Sequence, residues 1–199
     1  MKVKIKKQGK VESFNLINSW ADVNLDTWLQ LIDFATGTKT EEATETIAAL
    51  SDIPKKLIKE LALSDVAVIM SKVGELQAKQ DTKLKRIIEI NGVEYGFMPD
   101  LDSISLGQYA DIETFIKNGI DKNLPELMAV LYSPIKLKKN DIYIIEPYDG
   151  DIRLRAEEMK QMSAEQVQSA LMFFFALGKK LSEIMPLYLM ERLKETKMQ

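Results

Sequence analysis

The chain contains no His and no Cys, so any chemistry it performs must come from carboxylates, lysines and hydroxyls. That removes Ser-His-Asp hydrolysis, cysteine nucleophiles, thiolate metal sites and disulfides. Asp100, Asp102 and Glu146 are candidate carboxylates for acid–base work, but no spacing among them singles out a pair. A second acidic group, Asp141, Glu146, Asp149 and Asp151, has the charge to attract a hard cation. Its sequence "YDGDIRLRAEE" lacks the alternating ligands and closing Glu of a calcium loop and reads as a solvated turn. The nine glycines are scattered, so no phosphate-binding loop forms. We therefore expect no catalytic residues, metal ligands or cofactor, and a non-enzymatic protein.

The lysines are the other charged candidates. Lys2, Lys4 and Lys6 alternate with Val3 and Ile5, which places the three lysines on one face of a strand. They could contact phosphate, or they could guard an exposed sheet edge against unwanted pairing. The net charge of −3 argues against general nucleic-acid affinity. "MKVKIKKQGK" has no apolar stretch of the secretory type. The longest apolar run, "ALMFFFALG" (170–178), falls well short of the roughly twenty residues a membrane helix needs.

These groups need elements to hold them. The alternation at Val3 and Ile5 and the run "VESFNL" predict a hairpin. A helix follows with Leu25, Trp28, Leu31, Ile32 and Ala35 on one side, stopped by Gly37. Thr38 and Glu41 form a capping box for a second helix to about Leu50. Pro54 opens a short third helix, and a fourth carries Val66, Ile69, Met70, Val73 and Leu76. After the polar "AKQDTK" the pattern restarts. Asn91-Gly92 joins two apolar runs as a type I′ hairpin turn. Helices are expected from about Leu106 to Lys117, over Leu124–Tyr132, over Ile152–Met162, and from a Ser163/Gln166 capping box to Leu177. A last amphipathic helix would carry Leu181, Ile184, Met185 and Tyr188.

The restart keeps register. Val23, Leu25, Trp28, Leu31 and Phe34 fall on Ile104, Leu106, Tyr109, Ile112 and Phe115 at an offset of 81. Ile47 to Leu50 fall on Met128 to Leu131 at the same offset. Beyond an insertion at 136–150 the offset becomes 101, and Ile58, Leu61, Val66 and Ile69 meet Met159, Met162, Val167 and Ala170. The expected fold is α+β and mostly helical, with two matched halves, 1–80 and 81–199. Each is a hairpin followed by about four helices. We expect the halves to pack as a pseudo-twofold pair, with Trp28 and Tyr109 as equivalent core anchors.

Function should lie where the halves differ. The insertion "KLKKNDIYIIEPYDG" predicts a strand at 142–145, which either pairs with a neighbouring subunit or adds a third strand to the second hairpin. Its apolar candidates for a partner interface are Tyr143, Ile145 and Tyr148. Phe173 and Phe175 flank Phe174 of the inward stripe, so that helix must be covered on more than one side, by core or by a partner. With Met185 and Tyr188 they complete the interface candidates, in a C-terminal third rich in pliable Met.

The segments "WADVNLDTW", "LPELMAVLYSPI" and "ALMFFFALG", with helix starts "ADVNLDTW" and "DSISLGQY" behind β-segments, resemble small virion and tail-assembly proteins of tailed bacteriophages. The Lys- and Ile-rich style resembles that of crass-like phages. The resemblance implies a structural or chaperone-like role in virion or tail assembly. Alternatives within it are a ring or connector component, or a packaged protein touching DNA. It implies other phage structural proteins, or further copies of the chain, as partners. The location would be the virion or the host cytoplasm.

Overall fold

A computed structural model describes residues 1–7, 10–77, 83–98 and 104–175. The fold is α+β. Strands β1 (Lys2–Lys7) and β2 (Lys10–Asn15) form an antiparallel hairpin with Val3 opposite Phe14. Four helices follow: α1 (Leu25–Phe34), α2 (Lys39–Leu50), α3 (Lys55–Ile58) and α4 (Leu63–Gln77). The second hairpin is β3 (Ile87–Ile90) with β4 (Val93–Phe97), turning at Asn91 and Gly92 with positive φ at both, as a type I′ turn demands. Then come α5 (Leu106–Asn118), a 3-10 turn (Ile120–Asn123) and α6 (Leu124–Leu131). Strands β5 (Tyr132–Lys139) and β6 (Ile142–Ile145), and helices α7 (Arg153–Met159) and α8 (164–175), complete the described chain.

Up to the end of their second helix the two halves share the order hairpin, helix, helix and several corresponding hydrogen bonds. Asn24 caps α1 by accepting from the Thr27 amide, and Ser105 caps α5 by accepting from Gln108. The Ile17 amide donates to the Leu50 carbonyl at 3.0 Å, and at the same offset Met98 donates to Leu131 at 2.8 Å. Both capping boxes read from the sequence form, with Glu41 returning to Thr38 and Gln166 to Ser163.

The halves diverge at the end of their second helix. In the first, Ser51 makes a single bridge to Leu16. In the second, the counterpart Tyr132 continues into β5, giving a sheet of order β3-β4-β5-β6. The inserted feature is thus a whole hairpin, turning at Asn140 with positive φ. The predicted strand 142–145 lies at the sheet edge, while β5 takes the third place.

Two apolar clusters fill the interior. One holds Ile5, Leu16, Val23, Ile47, Leu50, Ile58 and Ile69, the other Phe97, Leu124, Met128, Tyr132, Met159 and Met162. Helix α1 joins them: Leu25 is fully buried in the second cluster, and Trp28 packs against both. Tyr109, the counterpart of Trp28, is exposed, so it is not the core anchor expected. The joint between halves is also one-way, not a pseudo-twofold exchange. The Leu25 amide donates to Met162 O at 2.8 Å, the Asp26 amide to Lys160 O at 3.1 Å, and the Ala164 amide to Val23 O at 2.7 Å. The mate of Leu25 in the other half, Leu106, lies in solvent.

Candidate partner-binding site

Alternation along β6 decides what the insertion shows to solvent. Tyr143 and Ile145 turn inward, and Ile142 and Ile144 turn outward. Leu137 lies directly opposite Ile144 on β5 and shares its face. These three are 79%, 58% and 63% exposed in the order Ile142, Ile144, Leu137, a patch of apolar side chains with a shallow hollow between the strands. Isolated exposed aliphatics are ordinary, but three adjoining ones on one face are characteristic of a contact surface.

The inner face holds the hairpin in place. The Tyr143 hydroxyl donates to Phe97 O at 2.6 Å, reaching over β5 to the backbone of β4. Gly96 makes this possible, because a Cβ there would sit 2.4 Å from the Tyr143 ring. Burial pushes the Tyr143 hydroxyl pKa up, opposed by the nearby Arg86 guanidinium. Lys138 pairs with Glu94 from β5 to β4. Beyond β6, the Tyr148 hydroxyl donates to the Asp111 carboxylate on α5, tying the end of the insertion to that helix. Burial, reinforced by this carboxylate, raises the Tyr148 pKa.

The sequence-derived candidates therefore separate. Tyr143 is buried, and Ile145 and Tyr148 are half-buried and engaged with the body of the protein, so these three support the surface and do not form it. Phe173 stacks edge-on against Phe97 at 5.4 Å and belongs to the core periphery. Phe175 is exposed, next to exposed Met172. Met185 and Tyr188 lie outside the described residues, as do Asp100, Asp102 and the last expected helix. Ile142, Ile144 and Leu137 escape the sequence reading because Tyr attracts attention as an interface residue, and "KLKK" looks merely solvated. Period two along "IYII" was the available clue.

The lysines occupy a different edge. Lys2, Lys4 and Lys6 are exposed on β1, while Val3 and Ile5 turn toward the first cluster. Every second residue of that strand carries a charge, the usual way an edge is kept from pairing. Strand β6 has no such guard. Glu146 is exposed, and its amide bonds to Pro134 O. Among the described residues no cluster of three or more acidic side chains could hold a metal ion. No helix among them is long and apolar enough to cross a membrane. No protein family, curated protein or solved structure matches the chain.

Proposed function

We propose that this chain is a non-enzymatic assembly protein of a tailed bacteriophage that binds a structural partner through the β5–β6 hairpin. The observation that carries the reading is the uncharged, apolar edge strand β6, with Ile142 and Ile144 facing solvent, in contrast to edge strand β1, which is lined with lysines. An open edge offers backbone hydrogen bonds, and the outward side chains supply burial. The anchors are a few aliphatic groups on a rigid support, and the energy comes from covering them. The resemblance of the helix-start segments to virion and tail-assembly proteins supports the choice of partner class.

The test compares two baits in extracts of cells infected by a phage carrying this gene: the wild type and Ile142→Lys/Ile144→Lys. The reading expects virion structural proteins to be recovered by the wild type and lost with the double variant. Recovery of the same proteins by both, or of host proteins alone, would end it.

A further inference from the structure

Each side of the internal joint between the halves has a counterpart in the other half that is open among the described residues. On α1, Leu25, Trp28, Leu29 and Ile32 lie on one helical face, and all four pack in the second cluster. Their equivalents on α5 are Leu106, Tyr109, Ala110 and Glu113, and every one is exposed. Leu25 is 0% exposed and Leu106 84%. Tyr148 covers the Gly107 and Asp111 side of α5 and leaves this face open.

The receiving surface is duplicated in the same way. In the second half α1 lies against Leu124, Met159, Met162 and Val167, all fully buried. The equivalents in the first half are Ala43, Ile58, Leu61 and Val66, and they line an open groove of about 670 Å³ between α2 and α3–α4. Leu63 stands at its rim, 87% exposed, where its counterpart Ala164 is 0%. Ala43 in place of Leu124 leaves room in the groove for an incoming side chain.

The backbone groups correspond as well. The internal joint uses the amides of Leu25, Asp26 and Ala164 and the carbonyls of Met162, Lys160 and Val23. Their counterparts are the amides of Leu106, Gly107 and Leu63 and the carbonyls of Leu61, Lys59 and Ile104. None of these six has a hydrogen-bond partner among the described residues. Among its described residues the chain thus displays a donor helix end and a matching open groove that are not brought together.

We infer that copies of this chain join head to tail, with the first turn of α5 from one copy seated in the α2–α3–α4 groove of the next. The contact repeats the geometry of α1 on α7–α8: Leu106 takes the place of Leu25 and Tyr109 that of Trp28. A heterologous joint of this kind propagates, giving a ring if the rotation closes and a filament if it does not. This goes beyond the proposed function, since the β6 edge can hold a partner whether or not copies join.

The experiment is light scattering over a concentration series with Leu106→Arg, which spoils the helix end, and Leu63→Arg, which spoils the groove. Both side chains are exposed, so both variants keep the fold, as thermal melts would verify. The wild type should rise past two chain masses, and each variant should associate at least about tenfold more weakly. A one-to-one mixture of the two variants should form a dimer and stop there, because only one sound joint can be made. A wild type that stays monomeric, variants that associate like wild type, or a mixture that stays monomeric would overturn the inference. Ile142→Lys/Ile144→Lys should self-associate normally; loss there would assign the contact to the sheet edge and overturn it too.

Discussion

Replacing Gly96 with Ala tests how the inserted hairpin is held. The new Cβ would lie 2.4 and 2.6 Å from two ring carbons of Tyr143 and 2.8 Å from Ile145 Cγ2, whereas ordinary contact begins near 3.4 Å. The ring must retreat by about 1 Å. It cannot do so freely, because its hydroxyl is anchored on Phe97 O at 2.6 Å. Overpacking of this kind costs about 1–3 kcal/mol. Weakening the hydroxyl bond adds about 0.5–1.5 kcal/mol, and the strand preference of Ala over Gly returns about 0.5–1 kcal/mol. The net loss centres on about 2 kcal/mol within a span of about 0.5–4, which at its centre is roughly 4–8 °C in Tm for a chain of this size. Thermal melts and urea titrations would measure it. In a Tyr143→Ala background the same change should cost clearly less, because of the three close contacts only that with Ile145 Cγ2 remains, and the vacated ring space lets it give way. A Gly96→Ala protein that melts within about 2 °C of wild type, or that loses as much without Tyr143, would refute the packing of β6 over β4.

Three further outcomes follow. Burial raises the hydroxyl pKa of Tyr95, Tyr132, Tyr143 and Tyr148 above the ordinary value near 10. A raised folded value means the folded chain keeps its protons longer than the unfolded one. Stability should therefore be full below about pH 10 and fall as pH rises from there through the folded values, a decline that urea titrations at alkaline pH would show to be smaller in Tyr132→Phe. At neutral pH that variant should lose about 1–2 kcal/mol by urea titration, since the fully buried Tyr132 donates to Lys85 O at 2.8 Å. Thr38→Ala removes the hydroxyl that caps α2 and donates to Glu41, while keeping the backbone amide that Glu41 also accepts from, and should cost about 1 kcal/mol by the same method, leaving the far hairpin unaffected.

Local chemistry was the part of this fold most open to sequence reading. Thr38/Glu41, Ser163/Gln166 and Asn91-Gly92 each specify a cap or turn by hydrogen bonds and backbone angles among near neighbours, and each forms. The duplication was legible because apolar positions kept register through the change of offset from 81 to 101. Tertiary placement was not. Leu25 and Leu106 are the same residue at the same repeat position, yet one is buried and the other exposed, because among the described residues only the α1 helix end is covered by the other half. Strand β5 was missed since "KLKK" carries the composition of a solvated segment, although its pairing to β4 at Tyr132–Phe97 fixes it. The candidate site suffered from the same gap. Tyr143 stood out by residue type, but its hydroxyl had a carbonyl to reach on a strand two places away, and the exposed positions fell to its neighbours.

The most direct test of partner binding through the hairpin is a photocrosslink inside infected cells. A benzoylphenylalanine placed at Ile144, on the outer face of β6, should give a light-dependent adduct with a phage structural protein. The same group at Val11, equally exposed but on the lysine-guarded hairpin, should give none. The absence of an adduct from position 144, or the same adduct from both positions, would contradict the account.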